Sequence, residues 1–232
     1  MAVVETTPAT VSLEEAIRAR RSVRGFLDKP VPQDVLEQVF ALAQLAPSNC
    51  NIQPWKVLVA SGAKRDRVRQ RLMDAVMGGA GPQPDYDYPG KFQGEYRTRQ
   101  VECAVAMYTS MSIGRDDAAG RARAALRNFE LFDAPHVAFI GMDPAFGTTV
   151  AVDVGMYAQN LMLVMAAHGI GSCAQGSMRY HPDIVREEFG LTKDQIRILF
   201  GISFGYEDQS VPANETRTIR DDISASVTFL SE

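Results

Sequence analysis

The longest apolar stretch of this chain, residues 150–167, restricts the folds that the sequence can adopt. It contains Asp153, Gln159 and Asn160. A helix that spans a membrane needs about 20 apolar residues with few polar ones among them, so these side chains favour a helix in the core of a globular protein. A helix that is apolar on most sides has to be covered by other elements. We therefore expect a core helix over residues 150–168, and no membrane as a partner.

Three other segments are typical of buried β-strands, because they are short and rich in apolar, β-branched and aromatic residues. They lie at 55–60 (WKVLVA), 137–142 (VAFIGM) and 196–206 (IRILFGISFGY). Strands that are apolar on both faces belong to a sheet with helices on both sides. The sequence therefore predicts an α+β fold with three α/β/α layers, in one domain over residues 1–232.

Apolar residues at helical spacing predict the helices around this sheet. They cover residues 13–21, 35–46, 64–77, 97–114, 118–132 and 182–189. The Gly-rich residues 171–176 are predicted to be a loop. Residues 78–96 are rich in Gly, Pro and Tyr without periodicity, and a loop of this length in a compact domain is usually functional or disordered. Its aromatic residues favour a lid over a flat ligand; the alternative is a loop that these residues only pin to the surface.

Composition and charge limit the compartment and the partners. Apolar residues make up 46% of the chain and charged residues 22%, which excludes a mostly disordered chain. The net charge of −4 argues against nucleic acid as the main partner. Cys50, Cys103 and Cys173 are odd in number and far apart, and the N-terminus lacks the features of a secretory signal. We expect a cytoplasmic protein with a flexible segment over residues 1–11.

The pattern G-x-S-x-G at residues 201–205 matches the nucleophile elbow of serine hydrolases, but its context differs. The elbow needs a strand-to-helix turn and a histidine later in the chain. No helical pattern follows Ser203, and all three histidines precede it. No G-x-G-x-x-G fingerprint joins a strand to a helix, and neither histidines nor cysteines have metal-ligand spacing. A hydrolase is therefore disfavoured, and no metal site is expected.

Three polar clusters are left to carry a function. They are residues 18–24, with four arginines and a serine after a helix, residues 47–55 (PSNCNIQPW) between a helix and a strand, and residues 214–220 (NETRTIR). Arginine has a planar guanidinium group, which suits bidentate contacts with phosphate. Taken singly, the first and third clusters are better explained as a solvated helix end and a solvated tail.

Taken together and in this order, the clusters are similar to those of a known family. RRSVRGF, PSNCNIQPW, the GIGSCAQG that follows DVGMYAQNLML, and NETRTIR span the chain from about Leu13 to Phe229. The chain resembles the FMN-dependent nitroreductases, and GFLDKPV and LFDAPHVAFIGMD are most similar to the branch that includes nitrobenzoate reductases. The resemblance implies a nitroreductase-like fold with a central mixed, mostly antiparallel sheet. It also implies a homodimer that exchanges a C-terminal arm, residues 207–232.

The resemblance further implies that FMN binds at the interface of the two subunits. Its phosphate and the near edge of its ring would contact Arg20, Arg21, Ser22, Arg24, Arg217 and Arg220, with Arg24 near the N1 and O2 edge. The other subunit would supply Pro47, Ser48, Asn49, Asn51 and Gln53. Beside the ring would pass Ala174, Gln175 and Gly176, with a backbone N–H near N5. The residue at the position of Gln175 is often an acid in other branches.

The activity implied by the resemblance is a ping-pong reduction of a small nitroaromatic compound by NAD(P)H, with hydride transfer through N5 of FMN and no catalytic side chain. Its substrate pocket would include Tyr86, Tyr88, Arg123, Phe129 and Phe132. Alternatives on the same scaffold are quinones, activated alkenes, halogenated aromatics or free flavin as the acceptor. A flavin-binding protein without catalysis is a further alternative.

Overall fold

The computed structural model of the protein describes residues 11–87 and 90–231. Tyr88 and all but the last residue of the predicted flexible segment lie outside the described residues. The α-helices are α1 (Leu13–Ala19), α2 (Gln33–Ala43), α3 (Gly62–Met77), α4 (Gly94–Ser110), α5 (Ala118–Leu126), α6 (Ala151–Ala167) and α7 (Pro182–Phe189). The strands are β1 (Trp55–Ser61), β2 (His136–Met142), β3 (Gly171–Gln175) and β4 (Arg197–Gly205).

The four strands form one sheet in the order β1-β2-β4-β3. Every neighbouring pair is antiparallel. Among the described residues, parallel pairing is limited to a single bridge between Ser22 and Ser172. The mostly antiparallel sheet that the family resemblance implied is therefore confirmed.

Helices cover both faces of this sheet. On one face, α2 and α6 pack against it, and Val39 and Leu161 share a core cluster with Ile140 of β2. On the other face, α3 and α7 place Leu72 and Val185 against Phe139. Phe139 and Ile140 face different clusters because consecutive residues of a strand point to opposite sides. The predicted three-layer architecture is confirmed.

The prediction of a loop over residues 171–176 was wrong, because residues 171–175 form strand β3. The segment GSCAQ consists of small and polar residues with little strand preference of their own. It nevertheless pairs with β4 along its whole length, from Gly171 opposite Gly205 to Gln175 opposite Gly201. Pairing with a strand that is distant in sequence therefore decides its conformation.

The helix predicted to end at residue 132 ends at Leu126. A 3₁₀ turn follows, in which three consecutive residues have positive φ: Leu131, Phe132 and Asp133. Residues other than glycine seldom adopt this conformation. Leu131 and Phe132 are buried, and Arg127 pairs with Asp133 at 2.6 Å. Core packing and an ion pair therefore hold the turn.

Helix α6 packs on the core through one face. That face consists of Asp153, Val154, Tyr157, Ala158, Leu161 and Met165. Residues 148–167 are long and apolar enough to cross a membrane, but the core helix of a soluble protein can have the same length and composition. Only 33% of the apolar stretch in this segment is buried inside the protein, and Val152 is exposed. The helix belongs to the core as predicted, but the described residues of this chain leave part of its apolar surface uncovered.

Candidate functional site

The arginine segment, residues 20–24, offers positive charge that the chain does not fully neutralise. It follows α1, which begins with a capping box between Ser12 and Glu15. Arg21 forms an ion pair with Glu207, but Arg21 Nη1 is buried without a hydrogen-bond partner. Arg20 is half-buried, and its guanidinium contacts no acceptor in the part of the chain that the structure describes.

Asn214 joins the first and third polar clusters. Its side chain is buried; Oδ1 accepts a hydrogen bond from the backbone N–H of Arg24 at 2.6 Å. Its Nδ2 donates to the backbone oxygens of Gly25 at 2.9 Å and Asp208 at 2.8 Å. Gly25 allows the two segments to approach, since a Cβ there would lie 2.5 Å from Val211. One buried amide thus brings together clusters almost 190 residues apart in sequence.

Arg217 and Arg220 follow Asn214 and are exposed. Arg217 Nη1 donates to the backbone oxygens of Asn214 at 2.8 Å and Thr216 at 3.0 Å. Arg220 Nη1 donates to Thr218 Oγ1 at 3.1 Å. Among the residues that the structure describes, neither arginine has a carboxylate partner. Their positive charges are therefore available to an anion.

Strand β3 connects the arginine segment to Gly176. The backbone N–H of Val23 donates to Ser172 O at 3.0 Å, next to the parallel bridge between Ser22 and Ser172. β3 is the last strand in the sheet, and the peptide groups on the outer side of an edge strand are open to other partners. Ala174 and Gly176 are exposed there. A ligand can therefore be bound by backbone groups at this edge.

The side chain of Gln175 points into the protein. It is 2% exposed, and its Nε2 donates to Asn128 O at 2.8 Å. Its Oε1 accepts from Ser203 Oγ at 2.5 Å. Sequence reasoning named Gln175 but missed Asn128 and gave Ser203 no role. The two-residue alternation of β4 places Ser203 on the same face as Gly201, and this could have marked it as an inward residue.

A cavity of about 490 Å³ lies between the α4–α5 pair and the arginine segment. The predicted pocket residues Arg123 and Phe132 line it, and so does Arg24. Much of its remaining wall is apolar and includes Met107, Met111, Ile113, Ala124, Val211 and Pro212. The cavity therefore combines apolar walls with a few charged groups, as ligand sites for small molecules commonly do.

Arg127 and Asn128 also line this cavity and were not predicted from the sequence. Glu130 lies behind them and pairs with Arg123 at 2.5 Å and with Arg127 at 2.8 Å. Burial acts to raise the pKa of Glu130, but hydrogen bonds from the two arginines bring it below its ordinary value. The ionised carboxylate offsets part of the arginine charge, which leaves Arg24 as a cation of the cavity wall without an acidic partner among the described residues.

The polar loop, residues 47–53, is held by its own hydrogen bonds. Ser48 is half-buried, and the predicted site residues Pro47, Asn49, Asn51 and Gln53 are exposed. Ser48 Oγ accepts from the backbone N–H of Gln53 at 2.9 Å, and Gln53 Nε2 donates to Asn51 O at 3.2 Å. The backbone is strained at three residues with positive φ: Cys50, Asn51 and Gln53.

This loop rests on α6 and the end of α2. The backbone N–H of Asn49 donates to Asp153 Oδ2 at 3.1 Å. Trp55 Nε1 donates to Gln44 Oε1 at 2.9 Å, and the Trp55 ring stacks on Tyr157. Within the described residues, no hydrogen bond or ion pair joins the loop to the arginine segment or to residues 174–176. Direct polar contacts within one chain therefore do not link the two parts of the predicted site.

The structure places two of the predicted pocket residues outside the walls of the cavity. Phe129 is buried in the cluster beneath α3 and α7. Tyr86 packs against the opposite cluster, with the Arg197 guanidinium 6.0 Å from the centre of its ring. Burial raises the pKa of the Tyr86 hydroxyl. Tyr88 lies outside the described residues, so its predicted place in the pocket stays a prediction.

Asp85 connects the predicted lid-like loop, residues 78–96, to the core of the protein. Its carboxylate pairs with Arg186 at 2.5 Å and accepts from the backbone N–H of Ile198 at 2.8 Å. Both charged side chains are almost completely buried. The backbone N–H of Gln83 also donates to Tyr180 O at 2.8 Å. The loop is therefore anchored to α7 and β4 around residues 83–86.

Comparison with known proteins agrees with this fold. The model of the nitroreductase family matches residues 17–206. Nitroreductase NfnB of Mycolicibacterium smegmatis is 38% identical over 230 residues, which is 96% of each chain. A 4-nitrobenzoate reductase of Pseudomonas putida is 30% identical over 91% of this chain and 92% of its own.

A solved structure of a nitroreductase is also similar to this chain. The FMN-dependent nitroreductase NfnB from Mycobacterium smegmatis, in complex with NADPH, superimposes with a TM-score of 0.89 at 37% identity. The match covers 94% of this chain and 97% of that one. This chain therefore belongs to the nitroreductase family, and the resemblance of its motifs to that family is confirmed.

Proposed function

We propose that this protein is an FMN-dependent oxidoreductase that uses NAD(P)H to reduce small nitroaromatic compounds. The observation that carries the proposal is that three arginines of the two segments joined by Asn214 have no acidic partner among the described residues: Arg20, Arg217 and Arg220. A phosphate monoester carries nearly two negative charges at neutral pH, and arginine is well suited to bind it. The names of the relatives, which are nitroreductases and include an FMN-dependent one, support this proposal.

The other donors of the site also suit FMN. Arg21 Nη1 is buried without an acceptor, and Ser22 lies beside it on the bridge to β3. Arg24 would place a cation at the pyrimidine edge of the ring, where positive charge favours the reduced, anionic flavin. Gly176 would let the ring approach the backbone closely. Each of these groups binds or tunes the cofactor, which explains why no catalytic dyad is needed.

When bound, FMN would supply the redox chemistry, as acceptor of a hydride from NAD(P)H and donor of electrons to the nitro compound. The chain orients the reactants and keeps water away. Met107, Met111 and Phe132 provide apolar walls next to Arg24, and flat aromatic molecules are retained by such walls through apolar burial. Arg123 at the same cavity carries a charge that can contact a polar substituent of the acceptor.

We further propose that two copies of the chain share each FMN site and that the polar loop reaches the partner's site. The exposed polar side chains of residues 47–53 support this, because their hydrogen bonds are local and leave them open to solvent. The uncovered apolar surface of α6 and the exposed Ile219, Ile223 and Phe229 of the C-terminal arm also support it. Burial of apolar surface is the main driving force of association. The three cysteines are free, which suits the proposed cytoplasmic location.

The activity is tested with purified protein that has been loaded with FMN. We expect a yellow protein that consumes NADPH or NADH when 4-nitrobenzoate or nitrobenzene is added, and that does so faster than with a quinone. A protein that takes up no FMN would overturn the cofactor proposal. An FMN-loaded protein that oxidises neither nucleotide with any acceptor would instead be a flavin-binding protein.

The shared site is tested with Val152→Glu, which puts a charge on the uncovered surface of α6. We expect this variant to elute as a monomer and to lose FMN on dialysis. Met77→Glu is the matched control, because Met77 is about as exposed and ends α3 on the opposite side of the sheet. A monomeric Val152→Glu protein that keeps its FMN would contradict the shared site.

A further inference from the structure

The G-x-S-x-G stretch of β4 forms a row of small residues on the face that carries Phe139. Gly201, Ser203 and Gly205 lie two residues apart and therefore point to the same side. A Cβ on Gly201 would lie 2.6 Å from Met178 Cγ, and one on Gly205 would lie 2.6 Å from Pro135 Cδ. The glycines thus leave room for neighbouring segments, and the serine supplies the hydroxyl between them.

The absence of a side chain at Gly201 lets the turn Gly176–Arg179 lie directly on β4. Met178 of this turn is completely buried against the sheet. Gln175, which precedes the turn, pairs with Gly201 in the sheet. Its side chain reaches Ser203, two residues further along β4.

The backbone oxygen of Asn128, which can only accept a hydrogen bond, decides the orientation of the Gln175 amide. Oε1 accepts from the Ser203 hydroxyl at 2.5 Å, and Nε2 points towards Asn128. There it donates to Asn128 O at 2.8 Å, and Asn128 Oδ1 is 3.4 Å away. Because the amide is buried, each of these bonds would be costly to leave unmade. The chain Ser203–Gln175–Asn128 therefore links β4, the outer edge of β3 and the wall of the cavity.

We infer that Ser203 and Gln175 are positioning residues for the flavin chemistry. They fix the backbone of residues 174–176 relative to Asn128 and Arg24, so that the peptide groups at the edge of β3 and the cavity wall keep one spacing. This inference rests on the proposed function, in which residues 174–176 lie beside the reactive edge of FMN. It gives the serine of the G-x-S-x-G pattern a role that involves no nucleophilic attack.

Two substitutions separate this role from general stability. Ser203→Ala removes the donor to Oε1. Gln175→Glu keeps the shape but places a carboxylate oxygen against Asn128 O, where no hydrogen bond is possible between an ionised acid and a carbonyl. Ser203→Thr keeps the hydroxyl and is the conservative rescue. Ser61→Ala is the matched control, because it removes a serine hydroxyl that bonds to His136 at 2.6 Å on β1, outside the site.

The measurements are made on FMN-loaded protein: the rate constant of flavin reduction by NADPH, the flavin midpoint potential, the visible flavin spectrum and the dissociation constant for FMN. Melting of the flavin-free protein monitors stability. We expect Ser203→Ala and Gln175→Glu to slow flavin reduction about tenfold, the size expected from one lost buried hydrogen bond, and to shift the potential and the spectrum. Ser203→Thr should restore more than half of the rate, and Ser61→Ala should lower melting without shifting the potential.

The outcomes distinguish this inference from the proposed function. If the wild-type protein binds no FMN, the proposed function fails and this inference fails with it. If the wild type binds FMN and reduces nitro compounds, but both variants keep the wild-type rate, potential and spectrum, only the positioning role is overturned. The same holds if Ser61→Ala shifts the potential as much as Ser203→Ala does, since the effect would then be general. If Ser203→Ala fails to fold, the isosteric Gln175→Glu decides by the same criteria.

Discussion

The two halves of the candidate site are built differently. The first half, consisting of residues 20–24, 174–176 and 214–220, is assembled within one chain by buried hydrogen bonds through Asn214 and by the bridge between Ser22 and Ser172. The second half, the polar loop, is held by local bonds and a strained backbone and leaves its side chains exposed. The first half is therefore part of the framework of the fold. The second half is rigid without being buried, which is what a surface prepared for another molecule requires.

The largest expected effect concerns Asn214, because it belongs to the framework. Asn214→Ala would leave the backbone groups of Arg24, Gly25 and Asp208 without their partners, at a cost of about 3 kcal/mol in the free energy of unfolding. Denaturant unfolding of flavin-free protein measures it. Asn49→Ala in the polar loop is the counterpart and should cost no more than about 0.5 kcal/mol. Equal losses for the two variants would remove the distinction between the halves.

The next largest effect concerns FMN binding by the first half of the candidate site. Arg20→Ala should weaken FMN binding tenfold to a hundredfold, because a hydrogen bond to a charged group contributes about 1.5–3 kcal/mol. Fluorescence titration of flavin-free protein gives the dissociation constant. Arg18→Ala is the control, since Arg18 is exposed and, among the described residues, pairs with Glu14 of α1 alone. The assignment of Arg20 would be wrong if the two variants bound FMN equally well.

Acid should weaken the framework that carries the polar loop, through His136. His136 Nε2 accepts from the backbone N–H of Val31, just ahead of α2, at 2.9 Å, so the ring is held in its neutral form. Burial lowers the pKa of His136 to about 4 from an ordinary value of 6.5. The unfolded chain therefore binds more protons between these pH values, and stability that is complete above pH 6.5 is lost as the pH falls towards 4.

At pH 5 this loss amounts to about 2 kcal/mol, because one pH unit corresponds to about 1.4 kcal/mol for a single group. The free energy of unfolding should be measured at pH 7 and pH 5 for the wild type and for His136→Gln. The variant should be less stable at pH 7 but should lose less between the two values. Parallel losses in the two proteins would show that His136 is not the titrating group.

The smallest expected effect concerns the polar loop itself. Asn49→Ala should weaken FMN binding by the proposed dimer about fivefold, which corresponds to one hydrogen bond of about 1 kcal/mol. The free energy of unfolding of the flavin-free protein should stay near the wild-type value. Leu45→Ala, an exposed change close to the loop, serves as the control for FMN affinity. An unchanged affinity for Asn49→Ala would argue against the loop as the second half of the site.

The parts of the fold that could be predicted from the sequence are those with regular apolar spacing. The bounds of α7 and the C-terminal end of α3 agree with the prediction, and those of β2 agree to within one residue, because their own side chains decide their conformation and burial. β3 and the turn at residues 131–133 could not be predicted in this way, because pairing with β4 and an ion pair to Arg127 override their local preferences.

For the site, residue types were visible in the sequence but connections were not. The arginines and the polar loop were found because their composition is unusual for a helix end and a surface connection. The inward direction of Gln175 depends on Ser203, which lies 28 residues away. The roles of Asn128 and Asn214 depend on partners 47 and about 190 residues away. No local pattern records bonds over such separations.

The end of the C-terminal arm has a practical consequence for anyone who produces this protein. Phe229 and Leu230 are 82% and 92% exposed, three residues or fewer from the last position of the chain. Exposed apolar side chains at a chain end favour non-specific adhesion when nothing covers them. An affinity tag fused after residue 232 would lie directly against this segment. Purification handles are therefore better attached ahead of residue 1, and an untagged sample is the appropriate reference for measurements of oligomeric state.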